Sequence, residues 1–365
     1  EVETLTLEDC LRIGIDNNLS LEGKRKEIQK SKYGVSENRS KLLPQITVIA
    51  GYNNNFDPPV SVTDGSSYGV PYNITQTLQH SANAGLEMQM PLFNQTLYTS
   101  MSIAKVMEEI SRLSYGKARE DVILQISKMY YLGQVTAEQI MLIKANITRL
   151  EELRDITQAF FDNGMSMEVD LKRVNINLEN LKVQYDNAQA MMKQQLNMLK
   201  YIMDYPAEKE IALTPVNTDS ITTVALTGLS ENIYELQLSQ SQVQLAERQK
   251  KIITNGYIPS LSLTGSWRYA AYTDKGYHWF HSGPSNQWFR SYGVGLTLRI
   301  PIFDGLDKTY KIKKAMIDIE NKRLAWEDAR KNLQTQYLNA VNDLMNNQRN
   351  FKKQKDNYLL AEDCY

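Results

Sequence analysis

The sequence predicts a mainly α-helical chain with a small β part, in which one helix–strand–strand–long helix unit is built twice. Three observations predict it. The first is an internal echo at a spacing of about 215 residues, Leu43-Pro44-Gln45-Ile46-Thr47-Val48 returning as Ile258-Pro259-Ser260-Leu261-Ser262-Leu263. Asn17, Leu21 and Ile28 fall on Asn232, Leu236 and Val243 at the same spacing, and Gly85 through Phe93 falls on Gly295 through Phe303 at about 210. The second is four segments of strict period-two alternation. The third is proline-free stretches whose apolar residues step by threes and fours.

Taken in order, Thr6-Leu7-Glu8-Asp9 reads as a capping box, and a helix is expected from there to about Leu43. Pro44 ends it by disfavouring a helical residue before it. Ile46, Val48, Ala50 and Tyr52 then alternate with Thr47, Gly51 and Asn53, the mark of a half-buried strand. A turn-rich loop at 57–79 leads to a second strand, where Ala82, Ala84, Leu86, Met88 and Met90 alternate with Asn83, Gly85, Glu87 and Gln89. No proline interrupts Gln95 to Phe161, a helix on the order of 100 Å long. Asp162-Asn163-Gly164 breaks it. A returning helix carries Leu171, Val174, Leu178, Leu181, Tyr185, Ala188 and Met192 in coiled-coil spacing, and Pro206 closes it. The second copy repeats the pattern, with strands around Leu261–Tyr269 and Tyr292–Ile300 flanking a loop at 274–287. It ends in a helix that reaches Tyr365, short of where a second break is expected.

The expected organisation is a first-repeat N-terminal helix at 1–44, a strand pair with its loop at 45–91 and a long helical hairpin at 92–205. A linker at 206–229 follows, then the second-repeat helix at 230–258, the second strand pair at 259–301 and an incomplete second hairpin at 302–365.

Composition excludes several classes. The net charge of -1 and the absence of a basic stripe argue against nucleic acid. No run of ~20 apolar residues exists for a transmembrane helix. Glu1-Val2-Glu3-Thr4 has no leader character, which leaves a cytosolic chain or one already processed. Cys10 reads as a small buried residue, and nothing around it resembles a lipidation signal. Of the three histidines, His278 and His281 lie in an aromatic loop without acids or cysteines at ligand spacing, so no metal is expected. No cofactor fingerprint and no convergent catalytic set is visible, so neither a cofactor nor an enzyme is expected.

The strands carry the functional reading. Asn83, Glu87, Gln89, Ser262, Thr264, Ser266, Arg268, Thr297 and Arg299 are expected on one face, toward water. Leu86, Met88, Leu261, Leu263, Trp267, Val294, Leu296 and Leu298 are expected on the other, toward lipid. Glu87 and Arg299 read either as lumen charges or as an interstrand ion pair. Strand lengths of ~9–11 residues suit a bilayer crossing. Tyr52, Phe56, Tyr68, Tyr72, Tyr277, Trp279, Phe280, Trp288, Phe289 and Tyr292 crowd the strand ends and loops, as an interfacial girdle would. Four strands leave open edges that lipid does not tolerate, so several chains must close the sheet, and three copies give a twelve-stranded barrel.

Taken with Leu5-Thr6-Leu7-Glu8-Asp9-Cys10-Leu11, Asn17-Asn18-Leu19, Met90-Pro91-Leu92-Phe93-Asn94, Ile300-Pro301-Ile302-Phe303-Asp304-Gly305 and Phe161-Asp162-Asn163-Gly164, the chain resembles the TolC family of bacterial outer-membrane efflux ducts. The resemblance implies a homotrimer in outer-membrane lipid. Its twelve-stranded β-barrel would be continued into the periplasm by a coiled-coil α-helical barrel. The family works with an inner-membrane pump and a periplasmic adaptor protein. The adaptor would dock at the hairpin tip, here Gly164, Met165, Ser166, Met167, Glu168, Val169, Asp170 and Leu171. Met165, Met167 and Val169 read as adaptor contacts or as tip packing within the trimer. Leu19 stands where the family usually has proline, and the second hairpin's return arm is absent from this sequence, so no gate residues are carried over. The alternative reading is a soluble periplasmic helical-hairpin adaptor or scaffold.

Overall fold

The structure, a computed structural model, describes residues 3–64, 69–76, 78–216, 232–274 and 288–363. Its elements run β1 (Glu3–Leu5), α1 (Leu7–Asn17), α2 (Leu19–Ser40), β2 (Gln45–Asn54), β3 (Val60–Asp64), β4 (Tyr72–Gln76), β5 (His80–Phe93) and α3 (Gln95–Asp162). They continue with α4 (Glu168–Met203), β6 (Ile211–Leu213), α5 (Tyr234–Asn255), β7 (Ser260–Thr273), β8 (Trp288–Arg299) and α6 (Asp307–Asp363). The chain divides into two compact units, one of Glu1–Lys30, Glu109–Gln240 and Ala325–Tyr365, the other of Ser31–Glu108 and Ser241–Leu324.

The first unit holds the hydrophobic core. Thr6 and Asp9 form the expected capping box, Thr6 Oγ1 accepting from the Asp9 N–H at 3.2 Å and Asp9 Oδ2 accepting from the Thr6 N–H at 3.2 Å. Cys10 of α1, Leu21 of α2, Val122, Ile126 and Tyr130 of α3, and Leu199, Ile202 and Met203 of α4 pack together with Leu5 and Ile211. Each of the Leu, Ile, Val and Met side chains contributes roughly 1.5–3 kcal/mol by leaving water. β1 and β6 pair in parallel, Leu5 opposite Leu213, and Tyr130 Oη donates to the Leu5 carbonyl at 3.3 Å. This short parallel pair lies in what the sequence reads as helix entry and linker. Three residues are too few to show a period.

The helix expected from Thr6 to about Leu43 is two helices. Asn18 leaves helical geometry at φ -54, ψ 118. Its Oδ1 accepts from the Leu21 N–H at 3.1 Å and so caps α2, while its Nδ2 donates to the Ile202 carbonyl at 2.7 Å. The side chain of one residue satisfies groups that a continuous helix would leave elsewhere.

The second unit carries a four-stranded antiparallel sheet in the order β2-β5-β7-β8. β2 and β8 are its outer strands and, among the described residues, have no partner on their far sides. The loop expected at 57–79 contains a separate hairpin, β3–β4, with Val62 opposite Ile74. Val60 and Val62 alternate with Ser61 and Thr63, a short period hidden by the turn composition around Pro58-Pro59. Residues 275–287 of the second loop, with His278 and His281, lie outside the described residues. The strands hold 10, 14, 14 and 12 residues, so three of them exceed the expected length. β5 runs through Pro91, where the sequence places its end. A register shift against β7 between Pro91 and Phe93 accommodates the missing N–H. Within this unit Asn255 Nδ2 donates to Thr99 Oγ1 at 2.6 Å, joining α5 to α3 at a buried site.

Candidate functional site: a two-faced sheet and a hairpin tip

Antiparallel pairing puts directly opposed residues on the same face of a sheet. The register therefore sorts every strand residue. One row reads Thr47, Glu87, Ser266, Gly293 and the next reads Gln45, Gln89, Thr264, Gly295. Ser262 opposes Thr297, Ser260 opposes Arg299, Gly51 opposes Asn83, and Gly85 opposes Arg268. All nine residues expected toward water thus share one face.

The rows between them are apolar. Ile46, Met88, Gly265 and Val294 form one, and Val48, Leu86, Trp267 and Tyr292 another. Met90, Leu263 and Leu296 align next to them, and Leu261 opposes Leu298. All eight residues expected toward lipid share this second face. In the isolated chain its outer strands are open to solvent, with Val294 at 80% and Val48 at 73% exposure, while Met88, Leu261 and Leu263 on the inner strands are half-buried and Ala271 at the loop end is enclosed. A soluble sheet of this composition would bury such a face under helices; among the described residues the apolar side chains of the outer strands are left open. Toward the loop end the same face gathers aromatics: Trp267 meets Tyr269 edge-on at 5.6 Å, and Tyr52 stacks on His80 at 6.0 Å. Tyr52 Oη also hydrogen-bonds His80 Nδ1 at 2.7 Å. Trp288 and Tyr292 lie on that face too, whereas Phe289 is on the polar one. Tyr68, Tyr277, Trp279 and Phe280 lie outside the described residues.

The interstrand ion pair that Glu87 makes is with Arg268, not with Arg299. The register explains it. Glu87 faces Ser266, so Arg268 sits one diagonal step away on the neighbouring strand, while Arg299 opposes Ser260 at the far end of the sheet. Arg299 lines a hollow with Gln45, Gln89, Ser262 and Thr297.

The hairpin tip forms where sequence reading places it. Gly164 takes φ +73, a conformation that costs a side-chain-bearing residue about 1–2 kcal/mol. This turn lets the Gly164 N–H reach the Phe161 carbonyl at 2.9 Å and the Met165 N–H reach the Phe160 carbonyl at 2.8 Å, satisfying the last turn of α3. Met165 and Met167 are each 74% exposed, Val169 is exposed beside them, and Leu171 is half-buried. Gly164, Glu168 and Asp170 are exposed, and Ser166 is half-buried. Glu168 and Asp170 stand in the first turn of α4, where acids complement the helix dipole. A hydrogen bond from Lys172, with its charge, holds the Glu168 carboxyl below the usual carboxylate range. Among the described residues no group of His, Cys, Asp and Glu could hold a metal ion. Cys10 is buried and unpaired, its thiol pushed up to about 11 by burial and the Asp9 charge.

The four-stranded sheet and the long helical hairpin together have the fold of solved outer-membrane channels. The chain superposes on CusC with a TM-score of 0.73 at 16% identity, covering 94% of this chain and 78% of that one. It superposes on the open-state MtrE outer membrane channel of Neisseria gonorrhoeae with a TM-score of 0.66 at 19% identity, covering 94% and 73%. The chain belongs to the outer membrane efflux protein family, whose model matches residues 13–203. The outer membrane protein TolC of Vibrio cholerae is 21% identical over 319 residues, a match covering 85% of this chain and 66% of that relative, just under two thirds of its length. Membership places the protein at the bacterial outer membrane, with an extension into the periplasm.

Proposed function

We propose that this chain is one subunit of a trimeric exit duct that serves a tripartite efflux or secretion system. The duct supplies no energy. An inner-membrane pump drives solutes into it through a periplasmic adaptor that docks at the Gly164–Leu171 tip. The observation that carries the reading is the sheet: an apolar face whose outer strands are open, a polar face behind it, and two edges unpaired among the described residues. Hydrocarbon accepts the first and water the second, and hydrocarbon does not accept the third without a partner. For the soluble adaptor reading an open apolar sheet face is a liability.

Three copies supply twelve strands, each β8 pairing with the next copy's β2. The internal repeat offers a template for that seam. β8 echoes β5 and β2 echoes β7, so the β5–β7 register carried across the repeat sets Leu298 opposite the next copy's Ala50. Thr297 then opposes Gly51, and both lie on the polar face, so the transferred register keeps the two faces continuous. Opening at the periplasmic end would be a repacking of hairpin contacts between two arrangements.

The test is the mass of the detergent-extracted particle, with single-channel conductance on the same preparation. A conducting trimer is expected; a non-conducting monomer overturns the reading. In the doubly substituted L298C/A50C protein, oxidation should link copies into a covalent trimer, and the shifted pair L298C/V48C should link poorly.

A further inference from the structure

We infer that Arg299 makes the strand lumen attract anions and is a specificity-determining residue for the solutes that pass. This rests on the duct reading, because it takes the polar face as the lumen wall.

The polar face carries little charge. Among its described strand residues only Glu87, Arg268 and Arg299 are charged. Glu87 and Arg268 neutralise one another. Arg299 has no ion-pair partner among the described residues. The acids nearest in sequence are engaged elsewhere, Asp304 by Lys308 at 3.0 Å and Asp307 by Lys311 at 2.6 Å. Lys41, which lines the same hollow, is matched by Glu37 at 3.5 Å and adds no net charge. Closing the barrel does not change the result. The strand a second copy brings to the β8 edge presents Gln45, Thr47, Ile49, Gly51 and Asn53 on the polar face, none of them acidic. Threefold repetition then sets three uncompensated guanidiniums in one ring.

The surroundings of the ring suit a binding constellation. Gln45, Gln89, Ser262 and Thr297 offer amide and hydroxyl groups around Arg299, the donors that a carboxylate, sulfonate or phosphate oxygen takes up. A guanidinium presents two parallel N–H groups to such an oxyanion. The ligand class is therefore an anionic solute with a planar or tetrahedral oxyanion, held loosely enough to leave.

The test is the reversal potential of the full-length protein in planar bilayers under a KCl gradient at about 0.1 M, where the screening length is still about 10 Å. Arg299→Gln should lower the chloride-to-potassium permeability ratio by at least about twofold, and Arg299→Glu should lower it further. Glu87→Gln, which leaves Arg268 unpaired, should raise the ratio, and Arg268→Gln should lower it. Arg290→Gln, a charge removed from the opposite face, should leave it unchanged. A ratio unmoved by Arg299→Gln in a channel that still conducts overturns the inference and spares the duct reading. A wild-type trimer that never conducts overturns both. A merely structural role for Arg299 would change the number of channels but not the sign pattern across these four charges.

Discussion

Gly14 and Ile126 occupy one space between them, and that sharing can be measured. A methyl group placed on Gly14 would lie well inside van der Waals contact of Ile126 Cδ1, with Met203 Cα 3.7 Å away on the other side. Ile126 is fully buried, and its core neighbours come from α1, α2, α4 and both short strands. Ile126→Ala therefore opens a cavity that backbone from five other elements cannot close, and should cost about 3–5 kcal/mol, the upper part of the range for such truncations. Gly14→Ala overpacks the same spot at about 1–3 kcal/mol, offset by up to ~1 kcal/mol of better helix propensity in α1. In the double variant the methyl introduced by Gly14→Ala takes the place that Cδ1 vacates. Its cost should fall about 1–2 kcal/mol below the sum of the single costs. The assay is guanidinium unfolding of the detergent-solubilised protein followed by far-UV circular dichroism, comparing midpoints at constant slope. Additivity to within about 0.5 kcal/mol would refute the shared-space account.

Two further outcomes are expected. Gly164→Ala should loosen the hairpin tip by about 1–2 kcal/mol, read as faster amide exchange at positions 164 and 165, with Gly164→Asn costing less because asparagine tolerates the left-handed region. The Asp9 carboxyl is held below its ordinary range by the Thr6 hydroxyl, the Thr6 N–H and Arg12. Because its folded value is depressed, its contribution is complete above the unfolded value near about 4 and is lost as pH falls through the folded one. Protection of the α1 amides, corrected for intrinsic exchange, should fall over that acid window in the wild type and not in Asp9→Asn; parallel behaviour of the two proteins would count against the cap.

Much of this fold is legible in the chain because its signals are local. The 68 residues of α3 carry a three-and-four step without a proline, and Asp162-Asn163-Gly164 ends them where the structure does. Period two assigns each strand residue to a face with no knowledge of its partner, so both rows of the sheet could be sorted before any pairing was known. The partnerships themselves are not local. Glu87 finds Arg268 rather than Arg299 only because β5 and β7 pair in one register. Leu5 meets Leu213 across the whole first hairpin, in strands too short to leave a pattern. Asn18 breaks the first helix because the Ile202 carbonyl lies within reach of its amide, a contact between residues far apart in sequence.

The chain alone determined what kind of surface each strand and helix presents, since side-chain direction follows from backbone period. Only the tertiary structure decided which surfaces are covered: Leu21, Ile126 and Met203 are enclosed, while Val48, Val294 and Met165 are left open. Burial is a property of neighbours brought together by folding, and no local rule in the sequence specifies them.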